Sequence, residues 1–130
     1  MPKVSIIIRS HNDIAFIEQT MQAILQQNYR DFEIVNVDNG STDGTWEVIC
    51  RMNPNGVKYQ VTDYVPGKVL NEAVSKSSGS IIVFNNSDCL PLNEEWLDNL
   101  IYPLLHNQDL KIGAVYANQV PRQDASPLVQ

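Results

Sequence analysis

Three polar clusters in this chain bring together side chains that could hold a charged, ring-bearing ligand. They are His11-Asn12-Asp13, then Asp38-Asn39-Gly40-Ser41-Thr42-Asp43-Gly44-Thr45, then Asn85-Asn86-Ser87-Asp88-Cys89. In the second, Asp38 can accept a ring N–H, and the glycines permit tight turns. The plainer reading is helix capping, in which Ser and Asp oxygens accept free N–H groups; one or two caps explain part of this stretch but not all of it. In the third, Asp88 and Asn86 offer a carboxylate and an amide oxygen. Those are the hard donors that Mg²⁺ or Mn²⁺ takes while sharing substrate phosphates. Its plainer reading is an Asx-turn at a strand end. Lys68 falls in the first turn of a helix that Pro66 can open, where free N–H groups and a cation together suit a phosphate. A solvated lysine is the alternative.

The elements that must position these clusters alternate. Residues 4–8 form a β-branched run, as in a strand buried on both faces. A polar break over residues 9–13 follows. Ile14, Ile17, Met21, Ile24 and Leu25 then recur at helical spacing, with Asn12 or Asp13 as N-cap. Residues 32–37 read as a second strand, and Thr45, Val48, Ile49 and Met52 as a helix closed by Asn53-Pro54-Asn55-Gly56. Residues 57–61 are a weak third strand. Val69, Leu70, Ala73 and Val74 mark a helix that Gly79 closes. Residues 80–85 read as the central strand. Asn93 caps a further helix with Leu97, Leu100, Ile101, Leu104 and Leu105 inward, and residues 112–120 read as a last strand. Repeated strand–helix units with short loops imply an α/β fold with a doubly wound, mostly parallel sheet and helices on both faces. Ligands bind such sheets at the carboxyl edge, and all three polar clusters directly follow strands.

Composition narrows the function. The chain has 130 residues, 43% hydrophobic and 18% charged, which suits one packed domain and not a disordered tail. Lys plus Arg number 9 against 15 Asp plus Glu, a net charge of −6 that argues against a nucleic-acid partner. Cys50 and Cys89 are far apart, without metal-site spacing, and read as buried free thiols. The apolar run over residues 4–8 is too short for a signal peptide or a membrane span, so the chain reads as cytoplasmic, with contact at a membrane surface left open. There is no GxGxxG after the first strand, no GxxxxGK[ST] and no Gly-x-Ser-x-Gly elbow. Neither His11 nor His106 has a nucleophile partner at suggestive spacing.

Over nearly its whole length the sequence resembles the amino-terminal half of family 2 glycosyltransferases, which have the GT-A fold. The resemblance is carried by residues 4–12, which end in His11-Asn12, and most specifically by residues 32–45. It continues through Leu70-Asn71-Glu72-Ala73 to Gly79, and through residues 81–91 with Glu95-Trp96-Leu97. Residues 115–127, with Gln119-Val120-Pro121-Arg122 and Asp124-Ala125, look like a rhamnosyltransferase-like subgroup.

The resemblance implies a nucleotide-diphospho-sugar-binding domain over residues 1–130, cut from a longer inverting glycosyltransferase that builds cell-surface polysaccharide. Asp38 would bind the uracil or thymine ring of a UDP- or dTDP-sugar, with His11 and Asn12 lining the same pocket. Lys68 and Asn71 would lie near the diphosphate or ribose. Asn86 and Asp88 occupy the place of the family's Asp-x-Asp and would hold Mg²⁺ or Mn²⁺. The acceptor would be a saccharide or a lipid-linked saccharide, reached at the inner face of the membrane by peripheral association of the longer protein. The general base that deprotonates it is expected beyond Gln130, so this chain alone should turn over little. Asn39, Asn86 and Cys89 each stand where the family often has an aspartate. An amide lacks a carboxylate's charge, so metal affinity should fall. A catalytically degenerate nucleotide- or partner-binding module is therefore the alternative. A nucleotidyltransferase ranks lower, because residues 9–13 contain no glycine.

Overall fold

The computed structural model describes residues 2–124. Ala125, Pro127 and the residues up to Gln130 lie outside the described residues. Four strands form one parallel sheet: β1 (Val4–Ser10), β2 (Phe32–Asp38), β3 (Val57–Gln60) and β4 (Ile81–Asn86), in the order β3-β2-β1-β4. Between and after them run α1 (Ile17–Leu25), α2 (Thr45–Met52), α3 (Pro66–Ser75) and α4 (Trp96–His106), and a single 3-10 turn at Gln108–Leu110 follows.

The β-branched run of β1 is the centre of both cores. Val4, Ile6 and Ile8 are fully buried on one face against Ile17, Met21 and Ile24 of α1, Ile49 of α2, and Leu97 and Ile101 of α4. Ile7 points the other way, into a smaller cluster with Val35, Val37, and Val69 and Ala73 of α3. The chain thus winds outward from β1 to β3 with α1 and α2 on one face. It then returns across the sheet through α3 on the opposite face to reach β4. Right-handed crossovers require that change of face when the winding direction reverses. The reversal makes the gap between β1 and β4 a topological switch point, the crevice where open α/β sheets bind ligands.

Several expectations are corrected. Among the described residues β4 ends the sheet, and the inner strands are β1 and β2. Residues 112–120 form no strand, since none of the described strands pairs with them; Tyr116 and Val120 are 96% and 71% exposed there, while Ile112 and Val115 are half-buried. Neither Asn12 nor Asp13 caps α1. The helix begins at Ile17 with no side-chain cap, after a turn in which the Phe16 and Ile17 N–H groups donate to the Asp13 carbonyl. Gly79 does not close α3, which ends at Ser75. It lies instead against β1, where a Cβ would come within 2.7 Å of Ser5 N. Cys50 is half-buried and Cys89 exposed, both free.

One buried polar side chain joins two helices. Gln27, just after α1, is 1% exposed. Its amide donates to Ala23 O at 3.2 Å and Asn93 O at 2.7 Å, and its Oε1 accepts the Leu97 N–H at 2.8 Å. The last bond satisfies one of the free N–H groups that open α4.

Candidate functional site

The loops after β1, β2 and β4 meet at the carboxyl edge and bond to one another. Asn12 has φ +49°, a left-handed conformation that Asn tolerates better than most residues. That turn lets its N–H donate to Ser41 Oγ and its Oδ1 accept the Thr42 N–H, both at 2.8 Å. Asp13 N–H donates to Thr45 Oγ1 at 2.9 Å and Ile14 N–H to Asp43 Oδ2 at 3.1 Å. Asp43 also accepts the Thr45 hydroxyl and N–H at the start of α2, and the hydroxyl is the main reason its carboxyl sits below the usual range. On the other side, Asp13 Oδ2 accepts the Ser87 hydroxyl after β4 and the His11 N–H at 3.1 Å.

Asp38 is fully buried at the end of β2. Its Oδ1 accepts hydroxyls from Ser10 at 2.7 Å and Ser41 at 2.6 Å; its Oδ2 accepts Ser41 N–H at 2.9 Å and the Gln60 amide at 3.0 Å. Burial alone would raise its pKa, but the bonds from Gln60, Ser41 and Ser10 outweigh that and hold the carboxyl below its ordinary value. Four donors fill its acceptor positions. The neighbouring Asn39 is half-buried, and its carboxamide makes no hydrogen bond among the described residues. The Asn39 carbonyl lies 2.6 Å from His11 Nδ1. A carbonyl only accepts, so Nδ1 is the donor in this contact.

At the third cluster the two proposed ligands differ. The exposed Asp88 carboxylate has one described contact, the Cys89 thiol at 3.8 Å. Asn86 is engaged: its Oδ1 accepts Arg9 Nε–H at 3.2 Å and Nη2–H at 2.8 Å. Arg9 Nη1 donates to Tyr64 Oη at 2.8 Å, which draws the β3–α3 loop to the same place. As a test of fit for a divalent cation, the Asp88 oxygens suit one, whereas the Asn86 oxygen already faces a guanidinium. Among the described residues no three His, Cys, Asp or Glu side chains group together as a metal cluster. Arg122 donates to the Asp88 carbonyl and stacks over the Phe16 ring at 4.1 Å, so residues near 122 return across the edge.

Hydrogen bonds therefore bring His11, Asn12, Asp38, Asn86 and Asp88 into one connected edge. Lys68 and Asn71 are exposed on α3, and among the described residues no side-chain hydrogen bond ties them to this edge. Sequence reasoning placed Asn39 in the second cluster but missed Arg9, Tyr64 and Arg122 as members of the edge. Arg9 carried a signal, being the one charged residue of β1; Tyr64 and Arg122 carried none.

The sequence profile described as Glycosyl transferase family 2 matches residues 5–128. The chain is 32% identical over 104 residues to the glycosyltransferase AglE of Haloferax volcanii, covering 75% of this chain and 34% of that protein. It superposes on the mannosyltransferase PcManGT from Pyrobaculum calidifontis, solved with GDP-Man and Mn²⁺, with a TM-score of 0.67 and 30% identity over 77% of this chain and 31% of that one. It also superposes on S. aureus TarS 1-349 in complex with UDP-GlcNAc, with a TM-score of 0.69 and 25% identity over 92% of this chain and 37% of that one. The chain thus spans about a third of AglE, of PcManGT and of the TarS 1-349 fragment. With the profile matching nearly end to end and a parallel sheet wound as theirs is, the chain belongs to glycosyl transferase family 2.

Proposed function

We propose that this chain is the donor-binding unit of an enzyme that transfers a sugar, with inversion, from a UDP- or dTDP-linked donor to a saccharide or lipid-linked acceptor. The observation that carries the reading is the interlocking of the loops after β1, β2 and β4 at the switch point, through Asn12 with Ser41 and Thr42, and Asp13 with Ser87. The base would lie against the His11 ring and the unengaged Asn39 amide, while Asn12 and Asp38 hold that wall in place. Lys68 and Asn71 would approach the diphosphate or ribose from α3. Asp88 would be the protein's carboxylate on Mg²⁺ or Mn²⁺, the remaining ligands being phosphate oxygens and water; Asn86 would support that position through Arg9. When bound, the cation would offset charge on the leaving diphosphate. The base that deprotonates the acceptor is assigned to a carboxylate outside the described residues.

Relatives solved with GDP-Man and Mn²⁺, and with UDP-GlcNAc, support a nucleotide-sugar donor and a divalent cation. No helix among the described residues is long and apolar enough to cross a membrane; a cytoplasmic location with peripheral membrane contact belongs to the same proposal. The second reading, a binding module without chemistry, draws on the engagement of Asn86 by Arg9. Calorimetry with UDP in the presence and absence of Mn²⁺ separates the two. The enzyme reading expects Mn²⁺ to tighten UDP binding and Asp88→Ala to abolish that gain. No response to Mn²⁺ favours the binding module, and no nucleotide binding at all overturns both.

A further inference from the structure

We infer that Arg9 is a fixed phosphate-binding cation at the switch point, and that it lets this chain hold a nucleoside diphosphate without a divalent metal. The inference rests on the donor-binding reading above and adds a residue that the resemblance does not assign.

Arg9 lies one residue from the end of β1, in register with Asn86 of β4, so its backbone flanks the crevice between the two strands. Its guanidinium is held by three hydrogen bonds: Asn86 accepts two of its N–H groups and Tyr64 a third. Both partners are neutral. Among the described residues the ion pairs are Arg51–Glu18 and Lys76–Glu72, so Arg9 has no carboxylate counter-ion. This is notable in a chain of net charge −6, where acidic side chains are plentiful. A guanidinium carries five donors. With three engaged, one N–H on each terminal nitrogen remains, a pair suited to two oxygens of a phosphate. The neutrality of Asn86 matters as much as its hydrogen bonds. An aspartate there would keep the bonds and cancel the charge, whereas the amide orients the guanidinium and leaves its charge unspent. Three polar contacts also mean that little side-chain entropy is left to lose when an anion arrives.

The test is titration of the chain with UDP, uridine and inorganic pyrophosphate, in EDTA and in Mn²⁺, for wild type, Arg9→Met, Arg9→Lys and Asn86→Asp. The expected result is that wild type binds UDP and pyrophosphate in EDTA. Arg9→Met should weaken both about tenfold or more and leave uridine unaffected. Arg9→Lys should fall between, because it keeps the charge and loses the fork. Asn86→Asp should weaken metal-free binding in the same direction while binding in Mn²⁺ recovers. Thermal melting checks the fold of each variant; if Arg9→Met fails to fold, Asn86→Asp decides, since it retains every partner of Arg9. UDP binding by wild type only in Mn²⁺ overturns the role of Arg9 and leaves the donor-binding reading intact, as does unchanged metal-free binding in Asn86→Asp. Failure to bind UDP, dTDP or GDP in either condition overturns the donor-binding reading and this inference with it.

Discussion

The Ser87 hydroxyl donates to the Asp13 carboxylate across the gap between the carboxyl ends of β4 and β1. Ser87 is 1% exposed and Asp13 half-buried, so this bond is partly shielded from solvent, and the neighbouring Asp88 is exposed. The pair fixes the loop that carries Asp88 relative to the loop that carries His11. Ser87→Ala should therefore cost about 1.5–3 kcal/mol of stability, the usual value of a hydrogen bond to a charged group. The same variant should lower UDP affinity in Mn²⁺ several-fold, because Asp88 loses its anchor. Urea denaturation and calorimetry on one preparation check both. A loss of stability with unchanged affinity would separate the bond from the site.

Asp38 and Asn39 are adjacent but should respond oppositely to substitution. Asp38→Asn replaces an acceptor of four hydrogen bonds with an amide that must point an NH₂ at donors, a change expected to cost about 3 kcal/mol. Asn39→Ala removes a carboxamide with no described partner and should leave the melting temperature nearly unchanged while weakening UDP binding several-fold. Equal stability losses in the two variants would contradict this division of labour.

The acid limb of stability follows from the same carboxylate. Its pKa is held below the ordinary value in the folded state. A depressed pKa contributes stability that is fully present above the unfolded value of about 3.9 and is lost as pH falls through the folded value. The stability gap between wild type and Asp38→Asn should therefore narrow between pH 6 and pH 3. Urea midpoints at the two pH values check it, and a gap that widens toward acid would reverse the sign.

How much of this was legible in the sequence depends on the kind of signal. The β-branched run of β1 and the apolar stripes of α1 to α4 specify the layers, because burial repeats with a fixed period. Residues 112–120 share the composition of a strand, but a strand needs a partner, and none of the described strands pairs with them. The start of α1 was misread because Ile14 continues the helical period, yet it is 45% exposed and lies in the turn that carries Asp13 toward Ser87. At the site, residues 32–45 announced a ligand loop, but most of their polar side chains hold one another. Asp38, Ser41, Asp43 and Thr45 are engaged within the loops, whereas the Asn39 carboxamide has no described partner. Which of two adjacent polar residues faces a ligand is set by partners such as Ser10 and Gln60, distant in sequence. Arg9 stood out as the one charged residue of β1, but its partners were hidden for the same reason, since Tyr64 and Asn86 lie 55 and 77 residues away.

Gly79 offers a control at the amino end of the sheet. Its N–H donates to Ser5 Oγ at 2.8 Å, Ser5 Oγ donates to Glu33 Oε1 at 2.6 Å, and Ser78 N–H donates to the same oxygen at 2.6 Å. A Cβ at Gly79 would meet Ser5 N at 2.7 Å and the Val4 carbonyl carbon at 2.8 Å. Both are backbone of the buried amino end of β1, so nothing can swing aside, and the connection into β4 would have to shift. Gly79→Ala should cost about 1–3 kcal/mol, the usual range for overpacking. Val4 and Ser5 lie at the opposite end of β1 from Arg9 and Ser10, so the strain is remote from the candidate site. Below its lowered melting temperature the variant should bind UDP as wild type does. Stability lost with affinity kept, measured on the same protein, is the reverse of the pattern expected for Asn39→Ala. If Gly79→Ala lost affinity while fully folded, the two ends of the sheet would be coupled and the assignment of the site to its carboxyl edge alone would be wrong.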